Sequence, residues 1–475
     1  MSQEPLPIDQ LPIWAELNHV DFNGVRACSV AEGKGTGLVA TWECQDSETL
    51  LSVPQDLVLS FETVWIYAKS DQHLLQVLEA VGDYSRTARG AILIFLLLQL
   101  TNPRTQGKIG VLNPFTEYVR YLPKQTLLPT FWSDAEKSLL IGTSLEVALE
   151  SKLKNLSDDF DLIRARTASI AWCRQYWWDA ECVTRTFSDW KQVDALYRSR
   201  ALDLPGTGHA VVPCIDMANH ASGDETTAFY ATAPDGSAVL CLRPGKKVYP
   251  GDEITISYGD GKGACEMLYS YGFIEDTMIS AKELFLEFDI PDDDPLRKLK
   301  RQVAKVPPGF RLYLQTQDDK TGWEGAFVWL CCINEEDGLE FKELQDSNGE
   351  RELQASWKDQ DISDFESFQE TLKNGPTWDI YQLRATVLLY ERVTQQLLRL
   401  ENSEEYVQEL WESEDLDDNV YDKAMKLRDL EQTLLLQAFE GFDTKKLQLQ
   451  ESSVVKEYLV FANAGEKQVP EDDFS

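Results

Sequence analysis

Three short segments carry side chains and turns that chemistry can use. Residues 32–41, EGKGTGLVAT, set glycines close together, which permits a tight turn or a close backbone approach to a ligand. A strand pattern follows, so this is not the strand-to-helix GxGxxG signature of dinucleotide binding. Residues 211–220, VVPCIDMANH, run from an apolar strand into a polar turn ending in Asn219-His220. Asparagine donates and accepts, and histidine bonds through either ring nitrogen, so the pair can hold the polar groups of a cofactor or simply brace the fold. Residues 250–260, PGDEITISYGD, pass from a Pro-Gly turn through a strand to Tyr258-Gly259, where a phenol can reach a cleft or pack. There is no Gly-x-Ser-x-Gly nucleophile turn and no metal-ligand spacing, which argues against a hydrolase or a zinc enzyme and gives no metal site.

The elements that must position these residues alternate in character. Residues 25–30, 37–41 and 50–53 have the composition of short strands, the last stopped by Pro54. From about 64 to 190 the apolar residues recur at helical spacing, and AILIFLLLQL is too short to span a bilayer, so it reads as a buried helix. Strand character returns at 210–214, 227–232, 238–242 and 253–258. A helical block thus interrupts a β-rich unit. Two prolines around three aspartates at 290–295 suggest a linker, beyond which helical patterns dominate. Leu383, Val387, Tyr390 and Leu397 share one apolar face, and Met425, Leu427, Leu430 and Leu434 another; both read as packing faces. The expected fold class is α+β.

Against 45 basic residues stand 80 acidic ones, a net charge of −35. Such a chain repels phosphate backbones, which argues against nucleic acid as a direct partner, and its acidity either attracts a basic protein at long range or simply keeps the chain soluble. The nine cysteines form no Cys-x-x-Cys pair, which fits a reducing compartment rather than a disulfide framework. No signal peptide, transit peptide or membrane span is read, so a soluble protein of the cytoplasm or nucleus, acting as a monomer, is expected.

Taken in order, Gly-x-Gly, Asn-His and Gly-Asp-Glu-Ile-x-Ile-x-Tyr-Gly resemble the SET domain, in the branch that includes the Rubisco large-subunit methyltransferase. ETLLSVPQDLVLS (48–60), SRALDLPG (199–206) and LYSYGF (268–273) are similar to further segments of that family. MKLRDLEQTLLLQAF resembles the Arg-x-x-Glu-x-x-Leu helix of its substrate-binding domain. The resemblance runs from about 15 to 445. It implies a SET domain at 15–275 with a helical insertion at about 64–190, a mostly α-helical substrate-binding domain at 290–463, and a disordered tail at 464–475.

It further implies S-adenosylmethionine as cofactor and a protein substrate, lysine being the expected acceptor and a non-histone or ribosomal protein the expected carrier. A histidine acceptor on the same fold, or an idle SET module that only binds protein, are the alternatives. Carried over by position, Glu48, Thr49 and Leu50 would line the cofactor through backbone groups, with Arg200, Asn219 and His220 also binding it. Tyr258 would be the catalytic tyrosine, and Asp216, Tyr230 and Tyr271 would line the acceptor channel. Two departures stand out. Tyr-Gly-Asp-Gly-Lys-Gly-Ala after Tyr258 is one residue longer than the family's Tyr-Gly-x-[Lys/Arg]-Ser-Asn and lacks its Asn, and Leu202 replaces the Phe of Ser-Arg-x-Phe.

Overall fold

The computed structural model describes residues 5–30, 35–102, 108–124, 127–179, 185–315, 320–345, 351–362 and 364–466. Residues 32–34 of the glycine segment and 467–475 of the expected tail lie outside them; residues 464–466 close the helix Ser453–Glu466. The architecture is α+β, in two compact units. One comprises residues 1–132, 149–262 and 268–272, and the other 133–148, 263–267 and 273–475.

Strands of the first unit are β1 (Asp21–Phe22), β2 (Val25–Ser29), β3 (Thr36–Ala40), β4 (Thr49–Val53), β5 (Ala201–Leu204), β6 (Gly208–Val211), β7 (Asn219–His220), β8 (Ala228–Thr232), β9 (Ala238–Leu242) and β10 (Glu253–Ile256). They form two four-stranded sheets, ordered β1-β4-β9-β8 and β2-β3-β10-β7, and the β5-β6 hairpin. Alternation sets which face is buried: in β9 Ala238, Leu240 and Leu242 point inward while Val239 and Cys241 are half-exposed. Within the helix Ala88–Thr101, residues 91–98 are all apolar and at most 2% exposed, so it is a core helix. Thr87 caps it by accepting from the Gly90 amide.

The second unit contains sheets that helical periodicity did not announce. β11 (Glu283–Glu287), β12 (Gly309–Leu314) and β13 (Thr321–Glu324) form one, and β14 (Leu339–Gln345), β15 (Arg351–Trp357) and β16 (Gln360–Ile362) another. Residues 290–295 are not a free linker here: Ile290 is buried against Phe327 and Cys331, and Asp294 accepts from the buried Lys300 ammonium at 2.5 Å. Two long helices, Trp378–Ser413 and Asp418–Gln450, dominate the rest. The Arg-x-x-Glu-x-x-Leu residues face inward. Arg428 donates to the Ile141 and Leu400 carbonyls and to Ser403 Oγ, and Glu431 accepts from Ser144 N at 2.8 Å and Ser144 Oγ at 2.5 Å. That motif therefore anchors the 139–144 segment within its own unit.

Candidate active site

β7 runs parallel to β10, with Asn219 opposite Thr255 and His220 opposite Ile256. This register brings the Asn-His turn alongside the end of β10, two residues before Tyr258. His220 Nδ1 accepts from the Tyr258 backbone N–H at 3.0 Å, and the two rings stack with centroids 5.1 Å apart. Tyr258 Oη donates to the Ala218 carbonyl at 2.9 Å, and the Tyr271 ring lies 4.5 Å from that of Tyr258. Burial pushes the Tyr258 phenol well above its ordinary pKa. At neutral pH it is a proton-bearing donor, not a base.

On the other side of the turn, Asn219 Nδ2 donates to Glu253 Oε1 at 2.8 Å. Gly37 on β3 closes the same corner, for an added Cβ would stand 2.9 Å from Asn219 Nδ2 and 3.0 Å from Glu253 Oε1. Val30 Cγ1 would be nearer still, at 2.8 Å, so only glycine lets β3 approach this corner so closely.

Arg200 ends the helix Phe187–Arg200 and donates through Nη1 to the Asp216 carbonyl at 2.8 Å. Its Nε is buried without a hydrogen-bond acceptor, and its Nη1 stands 3.6 Å from Asp216 Oδ2, an ion pair rather than a hydrogen bond. The Asp216 carboxylate accepts instead from Tyr118 Oη, and Tyr118 Oη accepts from the Cys214 N–H at 2.8 Å. Burial raises the Asp216 pKa, while Arg200 and Tyr118 oppose the rise. Cys214 itself sits at φ +70°, a strained setting for a non-glycine residue that Tyr118 helps to hold. The Asp216 carboxyl is thus turned into the protein, where it fixes the turn leading to Ala218.

The remaining expected residues are placed differently. Tyr230 lies on β8, half-buried; burial and then the Asp203 charge lift its phenol above the ordinary value, against a backbone hydrogen bond at Asp203 and the smaller pull of Lys262. Thr49 and Leu50 open β4 in the other sheet, and Glu48 directly precedes them. Their carbonyls accept from the Leu242 N–H, Asn23 Nδ2 and the Asn23 N–H, and a bulge between Thr49 and Leu51 takes Leu50 out of the paired register. No hydrogen bond among the described residues joins these three to the Tyr258 cluster. Sequence reasoning missed Tyr118, Glu253 and Lys262. Glu253 and Lys262 lay in segments already singled out, whereas Tyr118 had no local signal, because it acts on residues 96 and 98 positions away.

The arrangement joins a fixed phenol donor, an aromatic wall, an amide–carboxylate corner that only glycine lets β3 approach, and a buried guanidinium with an unused N–H. It suits alignment of a polar cofactor and a side chain better than generation of a strong base or nucleophile. A buried Arg200 N–H without an acceptor, together with the Asn219 amide, fits a nucleoside-bearing amino acid, with Asn219 and Arg200 as hydrogen-bonding groups.

No family model matches the chain. It is 27% identical over 360 residues to SET domain-containing protein 8 of Schizosaccharomyces pombe, covering 75% of this chain and 78% of that one. Identity to the Rubisco large-subunit N-methyltransferase of Nicotiana tabacum is 27% over 291 residues, 58% of this chain and 52% of the relative. Actin-histidine N-methyltransferase of Danio rerio is 21% identical over 348 residues, 69% and 53% of the two chains. The chain therefore spans about half the length of the last two. Among solved structures, the SET domain of LSMT bound to lysine and AdoHcy superposes with a TM-score of 0.64 at 19% identity, covering 95% of this chain and 94% of that one. Rubisco LSMT bound to AdoMet gives 0.63 at 18% identity over 98% of each chain.

Proposed function

The chain is a SET-domain protein of the Rubisco large-subunit methyltransferase-like branch, and on that premise we propose that it transfers methyl groups from S-adenosylmethionine to a protein side chain, the lysine amine. The observation that carries this reading is the Tyr258 phenol, which donates to the Ala218 carbonyl while His220 holds the residue's backbone N–H and Tyr271 backs its ring.

When bound, the cofactor supplies an electrophilic methyl group on a sulfonium sulfur. The protein's share is to align a neutral amine. Only about one lysine in 10³ is unprotonated at neutral pH, and an apolar, tyrosine-lined channel lowers the amine's pKa by disfavouring the ammonium. The proton is shed to water, since buried Tyr258 keeps its own. Oriented by the Ala218 carbonyl, the Tyr258 hydroxyl positions the amine, and alignment of this kind contributes several of the roughly 7–11 kcal/mol available to proximity in the best cases. Arg200 and Asn219 would hold the donor's polar groups, and the Asp216–Tyr118 pair keeps their turn in place.

A histidine acceptor is the second reading, favoured by the actin-histidine methyltransferases among the relatives. The partner is proposed to be a basic protein. From residue 401 to 422 the chain has many acidic side chains and no Lys or Arg. Glu404, Glu405 and Asp429 line a groove of about 360 Å³ together with Val407, Tyr421 and Met425. Opposite charge across such a surface speeds encounter and disfavours acidic partners. The eight cysteines among the described residues are free thiols, which supports a proposed place in the reducing cytoplasm or nucleus, as a monomer. Isotope-labelled S-adenosylmethionine, the purified chain and a fractionated extract test the reading: label on lysine is expected, label on histidine shifts the acceptor, and none on any fraction despite cofactor binding defeats it.

A further inference from the structure

The loop that departs from the family's pattern carries a lysine between two glycines, Gly261-Lys262-Gly263. The Lys262 N–H donates to the Gly259 carbonyl at 3.1 Å and folds the loop back on the residue that follows Tyr258. The lysine stem then lies along Gly259, where an added Cβ would come within 3.0 Å of Lys262 Cε and 3.2 Å of Cγ. Its ammonium ends 5.7 Å from the centroid of the Tyr271 ring, the same ring that packs against Tyr258 at 4.5 Å. The Tyr258–Tyr271 pair thus has an amine of the chain's own at its edge.

We propose that Lys262 is itself a methyl acceptor, modified in cis by the active site four residues before it; this rests on the methyltransferase reading above. The ammonium first loses a proton to water. The Nζ lone pair then forms an N–C bond to the methyl carbon of the sulfonium donor as the C–S bond breaks, and that bond's electron pair stays on sulfur, leaving a neutral thioether. Two features favour the step. A short tether gives an effective concentration in the millimolar range, above that of most free proteins. Gly261 has open space where a side chain would stand, so nothing at that position impedes the stem as it swings. The product has a seat as well, since methylated ammonium groups keep their charge and bind over aromatic faces.

Peptide mass mapping of the full chain, as purified and after incubation with S-adenosylmethionine alone, tests the proposal. Methyl groups on Lys262 are expected, accumulating at a rate per molecule that does not change over a tenfold range of protein concentration. They should be missing in Tyr258→Phe, and a Lys262→Arg chain mixed with Tyr258→Phe should leave the latter's Lys262 unmodified; label there would overturn the cis step. Without cofactor, an amine-directed acylating reagent should modify Lys262 at least threefold more slowly than exposed Lys154 and Lys305, and equal rates would overturn the seating that the proposal needs. Lys262 unmodified in a sample that methylates a foreign protein overturns the inference and leaves the methyltransferase reading standing. No transfer to any acceptor, with cofactor bound, overturns both.

Discussion

Replacing Glu431 by glutamine removes a titration built into the second unit. Glu431 is fully buried; burial pushes its pKa from 4.5 to about 7, against the pull of the Ser144 hydrogen bonds and of Arg428. A carboxyl whose folded pKa is raised contributes stability that is present in full below about pH 4.5 and is lost as pH rises through about 7. The shift of about 2.5 units corresponds to about 3 kcal/mol at 1.36 kcal/mol per unit, most of it lost between pH 5 and 8. Glutamine has the same shape, can accept from the Ser144 N–H, and does not titrate. Urea unfolding of wild type and Glu431→Gln at pH 5, 6, 7 and 8 isolates the contribution, because the remaining carboxylates cancel in the difference. The variant should gain on the wild type by about 2.5 kcal/mol across that range. Parallel profiles, or a gain in the opposite direction, would refute the reasoning and show that Glu431 is ionised in the fold throughout.

Other consequences follow from the same geometry. Tyr118→Phe leaves the buried Asp216 carboxylate and the Cys214 N–H each short of a partner, a cost of about 1–3 kcal/mol apiece; calorimetry should show the melting temperature lowered by several degrees, and an unchanged value would mean that water replaces the hydroxyl. Gly37→Ala places a methyl group against Asn219 and Glu253, so cofactor affinity by titration calorimetry should fall about tenfold, or about 1.4 kcal/mol. Glu253→Ala, which frees the Asn219 amide, should weaken cofactor binding more than it changes the rate at saturating cofactor; a pure rate effect would separate Asn219 from cofactor binding.

Much of the first unit was legible because its strands are short, alternate cleanly and end at Pro or Gly. β9 matches the expected 238–242, and the helix around AILIFLLLQL is buried as its run of apolar residues required. β11 through β16 were harder to see. β14 reads LEFKELQ, whose Glu and Lys are poor strand formers, so its alternation passes for one face of a helix. The cluster was legible in part: Asn219, His220 and Tyr258 meet because each ends or follows a recognisable strand. Tyr118 was invisible because its partners come from a segment about a hundred residues on, and only tertiary packing joins them. Asp216 was visible as a residue but not in its setting, since burial against Tyr118 and Arg200 is a property of three segments at once.

Single-turnover methyl transfer by wild type and Tyr258→Phe, paired with calorimetric cofactor titration of both, tests the central claim most directly. The account predicts label on a lysine side chain, a rate at least tenfold lower in the variant, and cofactor affinities within about threefold of each other. Equal rates in the two proteins would contradict it, removing Tyr258 from the reaction and placing the chemistry elsewhere in the molecule.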